Sequence, residues 1–106
     1  MGSPGSTSGD IQVSEVRIIP IRSSDGLVAF ASCIINRMLR LDNIGIVSKA
    51  DGSYRLSYPT KKLSNGQNYY YFYPISREVG DAIQKSITEK FEELIKERIN
   101  YGDYEE

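Results

Sequence analysis

Apolar positions alternate with polar ones through the first 75 residues and then recur every three or four, so the chain predicts strands followed by one helix. Residues 11–22 form the first predicted strand, with Val16 and Ile18 on one face and Ile19 and Ile21 on the other. Apolar residues on both faces imply cover on both sides. Pro20 has no N–H to give a ladder, which favours an edge strand or a bulge there. Ser23-Ser24-Asp25-Gly26 has the residue types of a hairpin turn. A second strand over residues 27–36 puts Leu27, Ala29, Ala31, Cys33 and Ile35 on one face, and small Ala29, Ala31 and Ser32 point to close packing by the helix. A third strand over residues 37–49 changes phase. Leu39 and Leu41 are in step, Ile44 and Ile46 are one residue out, and a bulge or bend at Asp42-Asn43 would turn both pairs to the core. Ala50-Asp51-Gly52-Ser53 is the next turn.

Residues 44–75 organise the rest. Two strand-like segments, 54–58 and 68–73, are joined by a loop over residues 59–66 and closed by Pro74-Ile75. The loop carries the adjacent charges of Lys61 and Lys62, and Asn65-Gly66 supplies a turn able to adopt positive φ. Alternation sends Tyr69, Tyr71 and Tyr73 to one face and Tyr70 and Phe72 to the other, one set for the core and one exposed or at a dimer interface. The predicted helix starts at Ser76, a good N-cap type, and carries Val79, Ala82, Ile83, Ile87, Phe91, Leu94, Ile95 and Ile99 as one apolar stripe. Gly80 weakens its start, and Asn100-Tyr101-Gly102 ends it before a frayed acidic tail. The expected fold class is α+β: a mostly antiparallel sheet of about five strands with one long C-terminal helix packed on it. Residues 1–9 read as a flexible linker or expression remnant, 10–100 as a single domain and 101–106 as the tail.

Composition narrows the chemistry more than the fold. The 106 residues, 40% hydrophobic and 25% charged, suit one soluble domain. No apolar run approaches the roughly 20 residues of a membrane span, and no signal peptide is visible. The single Cys33 has no internal partner, which fits a reducing cytoplasm, and its apolar strand reads as a place for a small buried hydrophobe. With no histidine and one cysteine, a structural zinc site or a histidine-based triad is excluded. Glu89, Glu92 and Glu93 read as a solvated helix face, and no glycine-rich phosphate loop is present. The expectation is therefore no enzyme, no cofactor, no metal and no small-molecule substrate. Charge is unevenly spread: residues 10–75 hold eight basic and five acidic side chains, a net +3, whereas the helix and tail are acidic.

Several short motifs, in order, resemble the stage V sporulation protein G (septation regulator) family. They are Val13-Ser14-Glu15-Val16-Arg17-Ile18, Asp25-Gly26, Ala29-Phe30-Ala31-Ser32, Pro59-Thr60-Lys61-Lys62, Asn65-Gly66 and Pro74-Ile75, with Ile83-Gln84 and Ile87 on the helix. The resemblance covers roughly residues 11–95. It implies a small α+β homodimer that binds DNA and RNA as a bacterial regulator. In the family, binding is attributed to a threonine-arginine-x-lysine run at the helix start. Here Val79-Gly80-Asp81-Ala82 holds that place, with Arg77 and Lys85 the nearest cations. An acidic, a small and a histidine position before the second proline are Tyr70, Phe72 and Tyr73 in this chain.

Two readings follow for the candidate residues. Lys61, Lys62 and Arg77 would contact phosphates, and Tyr69 and Tyr71 would stack on unpaired bases, in a regulatory protein that binds DNA, RNA or both. Alternatively the lysines only keep a loop soluble and the tyrosines fill a strand or an interface, leaving a protein-interaction adaptor of the same fold.

Overall fold

A computed structural model describes the backbone of residues 11–105 and the side chains of residues 11–98; the linker expected over residues 1–9 and the last residue of the acidic tail lie outside them. Four strands make an antiparallel meander in the order β1 (Val13–Ser24), β2 (Leu27–Ile35), β3 (Leu39–Ser48) and β4 (Tyr54–Ser57). β5 (Thr60–Lys62) and β6 (Asn68–Tyr70) form a separate hairpin, and α1 (Arg77–Glu105) follows. The class is α+β, as expected, with the strands divided four and two.

Turn chemistry sets the meander. Asp25 and Gly26 have φ of 53° and 88°, the paired left-handed geometry that matches strand twist in a two-residue hairpin. Asn36 and Arg37 repeat it at 50° and 58°, with Met38 N donating to Ile35 O at 2.9 Å. The anticipated phase change in β3 is a bulge: Cys33 faces Leu41 and Ala31 faces Ile44, so β3 advances one residue more than β2, with Asn43 at φ 63°. Leu41, Ile44 and Ile46 thereby all reach the core. Pro20 sits on the outermost strand, and the β1–β2 register slips just after it.

α1 packs on one face of the meander. Ile83, Ile87 and Phe91, four residues apart, bury against Ala29, Ala31 and Cys33 of β2 and Leu41, Ile44 and Ile46 of β3. The alanines let the helix approach, as their size suggested; Ser32 points to the opposite face and takes no part. Each fully buried isoleucine contributes about 1.5–3 kcal/mol. Gln84 Nε2 ties helix to sheet by donating to Tyr54 O at 2.9 Å, and the Tyr54 and Phe91 rings meet edge to face at 5.0 Å. Ser76 Oγ accepts from Val79 N at 3.3 Å, the expected N-cap.

Four expectations need correction. Residues 68–70 pair with Thr60–Lys62, so Lys61 and Lys62 lie on a strand instead of a loop. Pro59 ends the path out of β4, and the chain folds back on itself within the hairpin. The tyrosine run does not alternate between core and solvent: Tyr69, Tyr70, Tyr71 and Tyr73 are all 50–60% exposed, and only Phe72 packs inward. The strand stops at Tyr70, so period-two alternation has no ladder to enforce it beyond that point. Leu39 is 58% exposed at the start of β3, where the helix does not cover it. Finally, the helix continues through Asn100-Tyr101-Gly102 to Glu105, because a glycine weakens a helix without necessarily ending it.

Candidate nucleic-acid interface

The β5–β6 hairpin is shaped by its turn. Gly66 N donates to Leu63 O at 2.9 Å, Leu63 N to Gln67 O at 2.7 Å, and Gly66 takes φ 90°. This is the three-residue hairpin loop with glycine in the left-handed position, as Asn65-Gly66 foretold. Asn65 Oδ1 accepts from Gln67 N at 3.0 Å and locks the turn. At the open end Tyr71 N donates to Pro59 O at 3.0 Å. Phe72 and Tyr58 meet edge to face with centroids 6.0 Å apart and join the apolar packing, which anchors the hairpin to the body of the fold.

Residues directly opposed in an antiparallel pair share a face. Lys61 opposes Tyr69, while Thr60 opposes Tyr70 and Lys62 opposes Asn68. The two adjacent lysines therefore diverge, Lys61 with Tyr69 on one face and Lys62 diagonal to Tyr70 on the other. All are exposed. Of the residues singled out from the sequence, the fold brings Lys61, Lys62, Tyr69 and Tyr71 onto this hairpin. Arg77 opens α1, and no hydrogen bond or ion pair among the described residues joins it to the hairpin.

Three residues outside the candidate set stand beside them. Tyr70, Tyr73 and Arg55 line a groove of about 470 Å³ between β4 and the hairpin, together with Ser57 and Pro74. The Tyr70 and Tyr73 rings lie 5.2 Å apart, tilted by 56°. A signal for them was present: residues 52–77 carry four basic side chains, Arg55, Lys61, Lys62 and Arg77, six tyrosines and no acidic residue. In a chain of net charge −1, that stretch concentrates +4 beside most of its aromatic hydroxyls.

The helix start is electrostatically different. Glu78 and Asp81 are exposed there, and the four positions 79–82 hold no cation. Elsewhere, burial and then the nearby Asp42 push the Cys33 thiol up, so it stays protonated within the core. Burial, with a smaller effect from Cys33, pushes the Tyr58 hydroxyl up to about 12. Cys33 lies in the core between sheet and helix, and Tyr58 is half-buried at the groove that Arg55 also lines. Among the described residues no group of three or more Cys, Asp or Glu could hold a metal ion, and no helix is long and apolar enough to cross a membrane.

The SpoVG family model matches residues 11–93, from the lead into β1 through the hairpin and well into α1. A Treponema denticola protein named "Putative septation protein SpoVG" is 28% identical over 82 residues, 77% of this chain and 87% of the relative. Its namesake from Caldicellulosiruptor saccharolyticus is 28% identical over 85 residues, 80% of this chain and 96% of that protein. The matched region contains the whole meander, the hairpin and the buried stripe of the helix, and on that extent the chain belongs to the SpoVG family.

Proposed function

We propose that this protein is a bacterial regulator that binds DNA or RNA as a homodimer, using the β5–β6 hairpin as its nucleic-acid contact. The observation that carries the reading is the hairpin itself, where Lys61, Lys62 and exposed tyrosines share a segment with no acidic residue. Lysines supply sequence-independent phosphate contacts, and exposed aromatic faces supply stacking for unpaired bases. Arg77, at the neighbouring helix start, is a further phosphate contact in this reading. The likeness to septation proteins supports a regulatory role, and the free thiol of Cys33 supports a reducing cytoplasm.

Fluorescence anisotropy with labelled single strands and duplexes of DNA and RNA, across a salt series, tests it. Wild type should bind at low salt and weaken steeply as salt rises. Lys61→Ala/Lys62→Ala should bind less tightly and flatten the slope of log affinity against log salt by about 1.4 on single strands. Absence of wild-type binding to every probe at low salt would sink the reading. A second reading, a protein-interaction adaptor of the same fold, is favoured by Glu78, Asp81 and the cation-free positions 79–82 at the helix start, and that outcome would leave it standing.

A further inference from the structure

The hairpin's two faces are not equivalent, and one of them continues into the groove beside β4. On that face Tyr70 and Lys62 lie diagonally on the hairpin, while Arg55, Ser57 and Tyr73 complete the groove walls. We infer that this groove is a base-binding site for single-stranded nucleic acid, with Tyr70 and Tyr73 stacking on an unpaired base and Arg55 and Lys62 holding the flanking phosphates. The inference rests on the nucleic-acid reading above and assigns it a place and a strand type.

Size and charge favour that occupant. At about 470 Å³ the groove is within the roughly 300–1,000 Å³ range of small-ligand sites, and it is open along one side so that a chain can enter and leave. Tyr70 and Tyr73 are half exposed, so their ring faces are available without rearranging the core. Their centroids are 5.2 Å apart, whereas sandwiching a base between two rings needs two contact layers of about 3.5 Å each. The base therefore stacks on the outer face of one ring while the other, tilted by 56°, meets it at its edge. A base within a duplex has both faces covered by its neighbours, so this contact selects single strands. Charge complementarity points the same way: Arg55 stands at the wall, Lys62 lies on the same face of the hairpin, and among the described residues no carboxylate lines the groove. An acidic peptide would satisfy the two cations and leave the rings without a matching planar partner.

The test uses the intact protein and fluorescein-labelled dT12, beside an abasic 12-mer of equal charge and a glutamate-rich peptide. Wild type should prefer dT12 to the abasic strand by at least about fivefold, the lower bound for one stacked base. Tyr70→Leu/Tyr73→Leu should erase that preference, and Lys62→Ala should weaken dT12 binding more than Lys61→Ala. Tyr70→Phe/Tyr73→Phe should retain the preference, since stacking needs the ring and not the hydroxyl. Photo-crosslinking of wild type to a 5-iodouracil strand, mapped by mass spectrometry, should mark Tyr70 or Tyr73 and depends on no variant. Binding of dT12 that is salt-sensitive but indifferent to base removal and to both tyrosine substitutions would overturn the groove while leaving the general reading intact. Tight, Arg55-dependent capture of the glutamate peptide with no binding of any strand would overturn both.

Discussion

Individual residues hold several unusual states that alternation does not reveal. Arg37 takes φ 58° as the second residue of a left-handed pair, a position glycine fills without strain, and Glu15 takes 49° where the β1–β2 register slips. These are the costs of turning a long meander with non-glycine residues, and they become visible only when the ladder partners are known. Tyr58 has a different kind of hidden state, because its half-buried hydroxyl is held up to about 12. A free tyrosine in the unfolded chain ionises near pH 10, so between about 10 and 12 the unfolded state loses its proton first. Stability from this group is complete below pH 10 and is lost as pH rises through 12. Urea midpoints measured from pH 9 to 12 should therefore fall less steeply for Tyr58→Phe than for wild type. Parallel curves would show that another group controls the alkaline loss.

Elements differ in how firmly local sequence specifies them. The core stripe of α1 follows directly from four-residue spacing, and the strands of the meander follow from alternation plus recognisable turns. Gly80 is a weak point in the first turns of that helix. A Cβ placed there would meet Pro74 carbons at 3.5 and 3.7 Å, ordinary contact distances. Gly80→Ala should thus add helix propensity of about 1 kcal/mol without a clash, raising the melting temperature by several degrees in a calorimetric scan. A lowered melting temperature would mean that the approach of Pro74 matters more than the backbone term. The hairpin is the element least specified by pattern. Three-residue strands are too short for alternation to declare a face, and their pairing partner is chosen by the turn at Leu63–Gln67 and by the stop at Pro59.

At the scale of the whole molecule, the deciding asymmetry is that, among the described residues, α1 covers one face of the meander and leaves the other open. On the uncovered face Ile19 pairs with Phe30 across β1 and β2, and Ile19 is largely exposed. Apolar surface left in this position is the physical motive for the proposed homodimer. Ile19→Glu should shift the protein toward monomer in sedimentation equilibrium, while its circular dichroism spectrum stays that of the folded chain. An unchanged association state would place the dimer contact elsewhere or remove it from the proposal. The proposed dimer contact and the proposed nucleic-acid contact use different residues, Ile19 against those of the β5–β6 hairpin, so Ile19→Glu should leave binding to labelled strands unchanged.

Alternation, helical spacing and turn residues together determined the meander of β1 to β4 and the helix after it, the bulge at Asp42-Asn43, the N-cap at Ser76 and most of the core, because each rests on contacts between residues near in sequence or on one-sided burial. The ordered motifs also identified the family. Only the tertiary structure decided that residues 68–70 pair with Thr60–Lys62, that Lys61 and Lys62 diverge, that four tyrosines face solvent and that Arg55 joins Tyr70 and Tyr73. Those outcomes depend on which backbone groups find each other across a turn and on which faces α1 leaves uncovered, and neither is written in the periodicity of one segment.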